Sequence, residues 1–96
     1  MGDRRSRLEI YVEILTEIKN GVNIPTRIMY KTNLSWKPVS QMLQYLEKQR
    51  LIENCFEKSV DHRSNKDYHI TEKGDNVLQH FNRIKNLLVI NDAALN

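Results

Sequence analysis

The chain has 96 residues, of which 40% are hydrophobic, 7% aromatic and 28% charged, a composition typical of one small globular domain occupying residues 1–96. No apolar stretch approaches the roughly 20 residues of a membrane span, and the single cysteine excludes an internal disulfide. The three histidines fit no metal-ligand spacing, and the three glycines form no phosphate-binding loop. We therefore predict a cytoplasmic protein that is not an enzyme and has no cofactor, metal, membrane contact or small-molecule ligand.

The net charge is only +3, but the positive charge is concentrated in one part of the chain. Residues 26–50 contain five basic residues, with Glu47 as the one acid among them. A polyanionic partner requires a local field of this kind, although runs of charge also occur on ordinary solvated surfaces.

The first predicted helix covers residues 6–20. Ser6 is a suitable N-cap, Glu9 completes a capping-box pattern three residues later, and Asn20 and Gly21 end the helix. Its apolar residues cover an arc of about 200° at 100° per residue. One neighbour cannot cover such an arc, so we predict contact with the domain core and with a second surface.

A short helix and a longer helix follow, separated by a tight turn. The short helix is predicted over residues 26–32 with Thr26 as its cap, and Asn33 occupies the turn because asparagine tolerates the left-handed conformation. The longer helix is predicted over residues 35–49 with Ser35 as its cap.

The longer helix has two contrasting faces. Apolar residues at spacings of three and four predict a buried stripe of Trp36, Val39, Leu43 and Leu46. The opposite face is polar and contains no acid: Lys37, Gln41, Gln44 and Lys48, flanked by Ser40.

A hairpin and a last helix complete the predicted elements. Residues 52–70 alternate loosely around a polar turn and predict two strands. Residues 71–91 predict a helix with Thr71 as its cap, in which Gly74 permits close backbone approach. This helix carries a heptad-like apolar seam: Val77, Phe81, Ile84, Leu87 and Leu88. Such a seam packs either on the first helix of the same chain or on a second copy.

The order of elements is typical of DNA-binding proteins. A short helix joined by a tight turn to a helix with a basic, amide-rich face is the layout of a helix-turn-helix, whose second helix enters the major groove, and the hairpin after it would be a wing. Glutamine can form hydrogen bonds with adenine and lysine with guanine, and exposed Lys and Arg side chains neutralise phosphates.

Several motifs in this order resemble a known family. They are Arg5-Ser6-Arg7-Leu8-Glu9-Ile10, Pro25-Thr26-Arg27-Ile28-Met29-Tyr30-Lys31, Asn33-Leu34-Ser35-Trp36 and Tyr68-His69-Ile70-Thr71-Glu72-Lys73-Gly74. The chain resembles the archaeal winged helix-turn-helix family of predicted transcriptional regulators, which includes the Sulfolobus chromatin-associated protein Sso10a. The resemblance implies a winged-helix fold, mostly α within the α+β class, that dimerises through its last helix and binds duplex DNA. The hairpin is longer here than in Sso10a and the last helix shorter, so a long coiled coil is not implied.

These observations select three sets of site residues. Those predicted to read bases or line the groove are Ser35, Lys37, Ser40, Gln41, Gln44 and Lys48. Those predicted to contact phosphates are Arg5, Arg7, Arg27, Tyr30, Lys31, Arg63 and Lys66. Those predicted to form a homodimer interface are Val77, Phe81, Ile84, Leu87 and Leu88. Trp36 is predicted to lie in the core or to act as a wedge in the first turn.

The sequence is compatible with three functions. The first is a homodimeric transcriptional regulator that reads a duplex DNA sequence. The second is an architectural chromatin protein that binds DNA through its phosphates without sequence preference. The third is a protein-interaction module that does not bind DNA, which the modest net charge favours.

Overall fold

The computed structural model describes residues 5–55 and 66–95, with backbone only from residue 89 onward. The elements are α1 (Arg7–Lys19), α2 (Pro25–Thr32), α3 (Trp36–Lys48), β1 (Ile52–Asn54), β2 (Tyr68–Ile70) and α4 (Glu72–Leu95). Three helices and a two-stranded antiparallel hairpin are followed by one long helix, which is the predicted winged-helix architecture. In the described part of the chain, no helix is both long enough and apolar enough to cross a membrane.

The ends of α1 follow from local sequence signals. The Ser6 hydroxyl accepts a hydrogen bond from the Glu9 amide at 3.1 Å, and the Glu9 carboxylate accepts one from the Ser6 amide at 2.9 Å. The bond from the Ser6 amide to the carboxylate, together with the Ser6 side chain, lowers the pKa of Glu9, because hydrogen bonds to the carboxylate favour its charged form. At the other end Asn20 is the C-cap and Gly21 has φ +99°. The predicted capping box is confirmed.

Within the chain, α1 is surrounded by other elements. It contacts α2, α4 and β2, and it buries five aliphatic side chains: Ile10, Val12, Ile14, Leu15 and Ile18. Its wide apolar arc is therefore explained by neighbours of its own chain, and a second subunit is not needed to cover it. Leu8, in the first turn, is left exposed.

The start of α2 corrects the predicted cap. The helix begins at Pro25 with Ile24 in the N-cap position, and no side chain caps it. Proline suits the first helical position because its φ is already helical and its missing N–H has no helical acceptor to lose. Thr26 therefore lies inside the helix, where the sequence predicted the cap.

The hairpin joins α3 to α4. Ile52 pairs with Ile70 and Asn54 with Tyr68. Ile52 and Tyr68 are buried, so one side of the hairpin base faces the core. The amide of Tyr68 also donates to the Asn23 carbonyl at 2.9 Å, which ties the hairpin to the connector before α2.

The start of α4 is fixed against the chain that follows α3. The Thr71 hydroxyl accepts a hydrogen bond from the Gly74 amide at 3.0 Å and donates one to the Arg50 carbonyl at 2.7 Å. Gly74 lies so close to the Leu51 carbonyl that a Cβ would overlap it. The predicted cap and close approach are both confirmed.

The far end of α4 extends beyond the prediction. The helix continues past residue 91 to Leu95, because Ala93, Ala94 and Leu95 are strong helix formers and no glycine or proline interrupts them.

Lys19 and Asp75 form an ion pair of 2.6 Å that joins the end of α1 to the start of α4. The pair lowers the pKa of Asp75.

Candidate nucleic-acid interface

The turn between α2 and α3 holds the two helices in a helix-turn-helix. Ile28 is fully buried, and Thr32, also buried, satisfies its hydroxyl by donating to the Ile28 carbonyl at 2.7 Å. Asn33 ends α2 in the left-handed conformation with φ 57°, which confirms its predicted role. Leu34 then packs against the core. The turn thereby changes the direction of the chain between α2 and α3.

The polar face of α3 lies at the protein surface. Its four central residues are all exposed: Lys37, Gln41, Gln44 and Lys48. The opposite face is buried in the core: Val39, Met42, Leu43 and Leu46. The structure therefore brings the predicted base-reading side chains together on one accessible helix surface.

The two serines of the predicted set differ from each other. Ser35 is exposed in the N-cap position of α3, but its side chain makes no capping hydrogen bond. Ser35 therefore occupies the predicted cap position, although its hydroxyl does not bond the helix amides. Ser40 is half-buried at the edge of the polar face.

The acid nearest to the polar face is engaged by the hairpin. The Tyr68 hydroxyl lies 3.5 Å from the Glu47 carboxylate. Burial of Tyr68 and the neighbouring Glu47 charge raise the pKa of Tyr68 to about 12, and the protonated phenol is the donor to the carboxylate. No Asp or Glu occurs from residue 26 to residue 46. The exposed half of α3 that follows the turn therefore presents positive charge and amides without an opposing acid.

The residues predicted to contact phosphates lie on different elements of the fold. On α2, Arg27, Tyr30 and Lys31 are all exposed, and Tyr30 is the most open at 78%. Arg7 is exposed in the first turn of α1 and Lys66 just before β2. Arg63 lies outside the described residues.

Arg5 has a structural contact that the sequence did not reveal. Its guanidinium forms an ion pair with Glu13 at 2.7 Å and donates to the Thr32 carbonyl at 2.8 Å. This contact joins the start of α1 to the end of α2, where helix carbonyls lack intrahelical partners. A phosphate contact from Arg5 stays a prediction, and it would compete with these bonds.

Two aromatic residues of α3 lie at the surface although the sequence did not lead us to expect it. Trp36 is 50% exposed, which corrects the prediction that it belongs to the buried stripe; Met42 is buried instead. Tyr45 is 47% exposed, and its ring centre lies 5.2 Å from that of Tyr11 on α1. At 100° per residue Trp36 lies at the edge of the apolar arc, and this position could have indicated its exposure.

The last helix leaves an apolar face uncovered. Val77, Ile84, Leu87 and Leu88 are between 39% and 59% exposed. Leu78 is buried, and Phe81 packs partly against the core of its own chain. The predicted seam therefore divides into an outward part and a residue, Phe81, that also supports the domain.

The described residues offer no metal centre. No group of three or more His, Cys, Asp or Glu side chains within residues 5–55 and 66–88 is arranged to hold an ion. Cys55 is exposed, and partial desolvation with the charges of Glu53 and Asp67 raises the pKa of its thiol. Its thiolate form is therefore disfavoured.

The family follows from the length of the match. A family model described as winged helix-turn-helix covers residues 4–89. The chain belongs to the winged helix-turn-helix family. It is also 42% identical over 55 residues to an uncharacterized protein of Methanocaldococcus jannaschii, and the match covers 57% of each chain. This chain thus spans just over half the length of that relative.

Solved structures share the fold of this winged helix. A PadR-like transcriptional regulator from Bacillus cereus superposes with a TM-score of 0.78 at 24% identity, over 90% of this chain and 89% of that chain. Sso10a-2, a DNA-binding protein from Sulfolobus solfataricus, gives 0.66 at 23% identity over 95% and 93%. Streptococcus pneumoniae FabT, solved in complex with DNA, gives 0.70 at 20% identity over 95% and 66%. These similarities confirm the predicted fold and the resemblance to the group that includes Sso10a.

Proposed function

We propose that this winged helix binds duplex DNA as a homodimeric transcriptional regulator, with α3 in the major groove. The observation that carries the proposal is the exposed, acid-free polar face of α3. A helix fits the major groove, and side chains near its start reach base edges most deeply. Lys37, Ser40 and Gln41 are therefore the main base-reading residues.

Contacts with the DNA backbone come from the flanking elements. Arg27, Tyr30 and Lys31 are exposed on α2, the helix that crosses the backbone in this motif. Lys66 and Arg63 supply contacts from the wing. Phosphate contacts of this kind set the register of the protein on DNA and make binding depend on salt.

The second copy is recruited by the outward face of α4. A second copy that covers these exposed aliphatic side chains stabilises the dimer by about 25 cal/mol for each Å² of apolar surface that it buries. The exposed side chains of this face are Val77, Ile84, Leu87 and Leu88. A two-fold dimer would present two copies of α3 to half-sites about 34 Å apart along the duplex.

Site selection from random duplexes, followed by fluorescence anisotropy, tests the proposal. We expect one pseudo-palindromic sequence to be enriched and to bind more tightly than unrelated duplexes at near-physiological salt. Complete absence of duplex binding at low salt would refute the proposal and favour the protein-interaction module.

A second function is favoured by one comparison. Sso10a-2, described as a DNA-binding protein, matches over 93% of its own length. If this chain binds DNA as an architectural protein, it will bind unrelated duplexes equally, with an affinity that falls steeply with salt. The same anisotropy series therefore separates the two functions, because only a regulator keeps a sequence preference as salt is raised.

A further inference from the structure

Trp36 occupies an unusual place for a large apolar side chain. It is the first residue of α3 and is half exposed, although covering an aromatic ring is among the more favourable contributions to a protein core. At 100° per residue it lies between buried Leu43 and half-buried Ser40. Its uncovered part is therefore next to the polar face, at the end of α3 that follows the turn.

The exposed charges of α2 and α3 limit what can cover Trp36. Lys37 is its neighbour on α3, and Arg27 and Lys31 are exposed on the preceding helix. No acid occurs from residue 26 to residue 46. An occupant must therefore bring negative charge for the cations and an apolar group for the indole.

Duplex DNA supplies both of these features. Its phosphates are anionic, and its major groove presents one purely apolar group, the C5-methyl group of thymine. Bases inside a duplex have no open faces on which an indole can stack, whereas the methyl group projects into the groove.

We propose that Trp36 is a specificity-determining residue that contacts thymine methyl groups in the major groove. The inference rests on the proposed binding of duplex DNA by α3. Covering one methyl group is expected to change affinity about fourfold. The contact would favour thymine over cytosine and uracil at the positions that Trp36 reaches.

Two duplexes that differ only in methyl groups test the inference. Alternating d(AT) and alternating d(AU) duplexes present the same phosphates and the same Watson–Crick groups, but d(AU) lacks every C5-methyl group. We expect the wild-type protein to bind d(AT) about fourfold more tightly per contacted methyl group, and Trp36→Ala to bind both duplexes equally. Tyr45→Ala is the matched control, because Tyr45 is on the same helix and is exposed to nearly the same extent, 47% against 50%. It should keep the preference.

Intrinsic fluorescence provides a readout that needs no variant. Trp36 is the one tryptophan of the chain, so its emission reports directly on its own surroundings. We expect saturating d(AT) to shift or quench this emission more strongly than saturating d(AU).

The outcomes separate this inference from the function on which it rests. Equal wild-type affinity for d(AT) and d(AU) would overturn the role of Trp36 while leaving duplex binding intact. A preference that survives in Trp36→Ala, or emission that is unchanged by bound DNA, would overturn it as well. Failure to bind either duplex at low salt would instead refute the proposed function.

Discussion

Helices α3 and α4 each leave one long face uncovered, but the chemistry of the two faces is opposite. The open face of α3 consists of lysine and glutamine side chains, whereas that of α4 consists of valine, isoleucine and leucine. A polar, cationic face loses little by remaining in water and gains from a polyanion, while an aliphatic face is stabilised when it is covered. This contrast underlies the two proposed partners, DNA for α3 and a second copy of the chain for α4.

The largest expected effect is on the face of α4. Ile84→Asp would place a charge in the interface between copies, where an unpaired charge costs several kcal/mol. We expect the dissociation constant of the dimer to rise by a factor of at least about a hundred, as measured by sedimentation equilibrium. Asn86→Asp is the matched control, because it adds the same charge to an exposed position on nearly the opposite side of α4.

A wild-type protein that sediments as a monomer at micromolar concentration would contradict the dimer. So would a dimer that Asn86→Asp weakens as much as Ile84→Asp does. Phe81 is a poorer site for this test, because it also packs against the core of its own chain.

A second prediction concerns the attachment of α4 to the domain. Gly74→Ala would force a Cβ against the Leu51 carbonyl, with Ile70 Cγ1 only 2.9 Å away. We expect a loss of about 1 to 3 kcal/mol in the free energy of unfolding, as for overpacking in a core. Urea denaturation measures this loss.

Gly21→Ala is a useful comparison for that experiment. Gly21 has φ +99°, and a Cβ added there would point into open space with no packing neighbour within 4 Å, so only backbone strain of about 1 kcal/mol is expected. Equal losses for the two variants would mean that Gly74 does not hold α4 by close contact.

A third prediction concerns the face of α3. Gln41→Ala should weaken binding to the selected site by about 1 to 3 kcal/mol and relax the preference at one base position. Gln49→Ala, an exposed glutamine just beyond the end of α3, should leave both unchanged. Anisotropy with the selected duplex and its single-base variants measures both quantities. An unaltered preference in Gln41→Ala would show that Gln41 does not read a base.

The last expected effect is at the junction of α3 and the hairpin, and it appears only at alkaline pH. The pKa of Tyr68 is raised to about 12 in the folded protein, so the folded state holds this proton more tightly than the unfolded state. The associated stability is complete below about pH 10 and is lost as pH rises toward 12, with a magnitude on the order of 2 kcal/mol. Tyr68→Phe should remove this part of the alkaline loss in urea denaturation. If Tyr68→Phe loses the same amount of stability as the wild type when the pH is raised, groups other than Tyr68 cause the loss.

Local signals made much of the fold predictable from the sequence. The capping box at Ser6, the left-handed turn at Asn33 and the close approach at Gly74 each depend on a residue type with a specific backbone role. The cause of the first two lies within a few residues of the chain. At Gly74 the residue type alone predicted a close approach, whereas the partner, the Leu51 carbonyl, is brought there by the fold.

Features set by distant contacts were not predictable in this way. The apolar period of α3 places Trp36 at the edge of the buried arc, but the contacts of neighbouring elements decide that Met42 is covered and Trp36 is left half exposed. The bond from Arg5 to the end of α2 joins residues 27 positions apart, and no periodicity encodes it. The polar face of α3 was predictable because an amphipathic helix carries both of its faces in one short segment.

One measurement tests the contrast between α3 and α4 directly. The amide chemical shifts of the protein are followed by NMR while a duplex is titrated in at low salt. We predict that shifts concentrate on α3 from Trp36 to Lys48 and on the exposed residues of α2, while the outward face of α4 near Ile84 is unaffected. Shifts centred on α4, or no shifts at all, would contradict the assignment of DNA to α3.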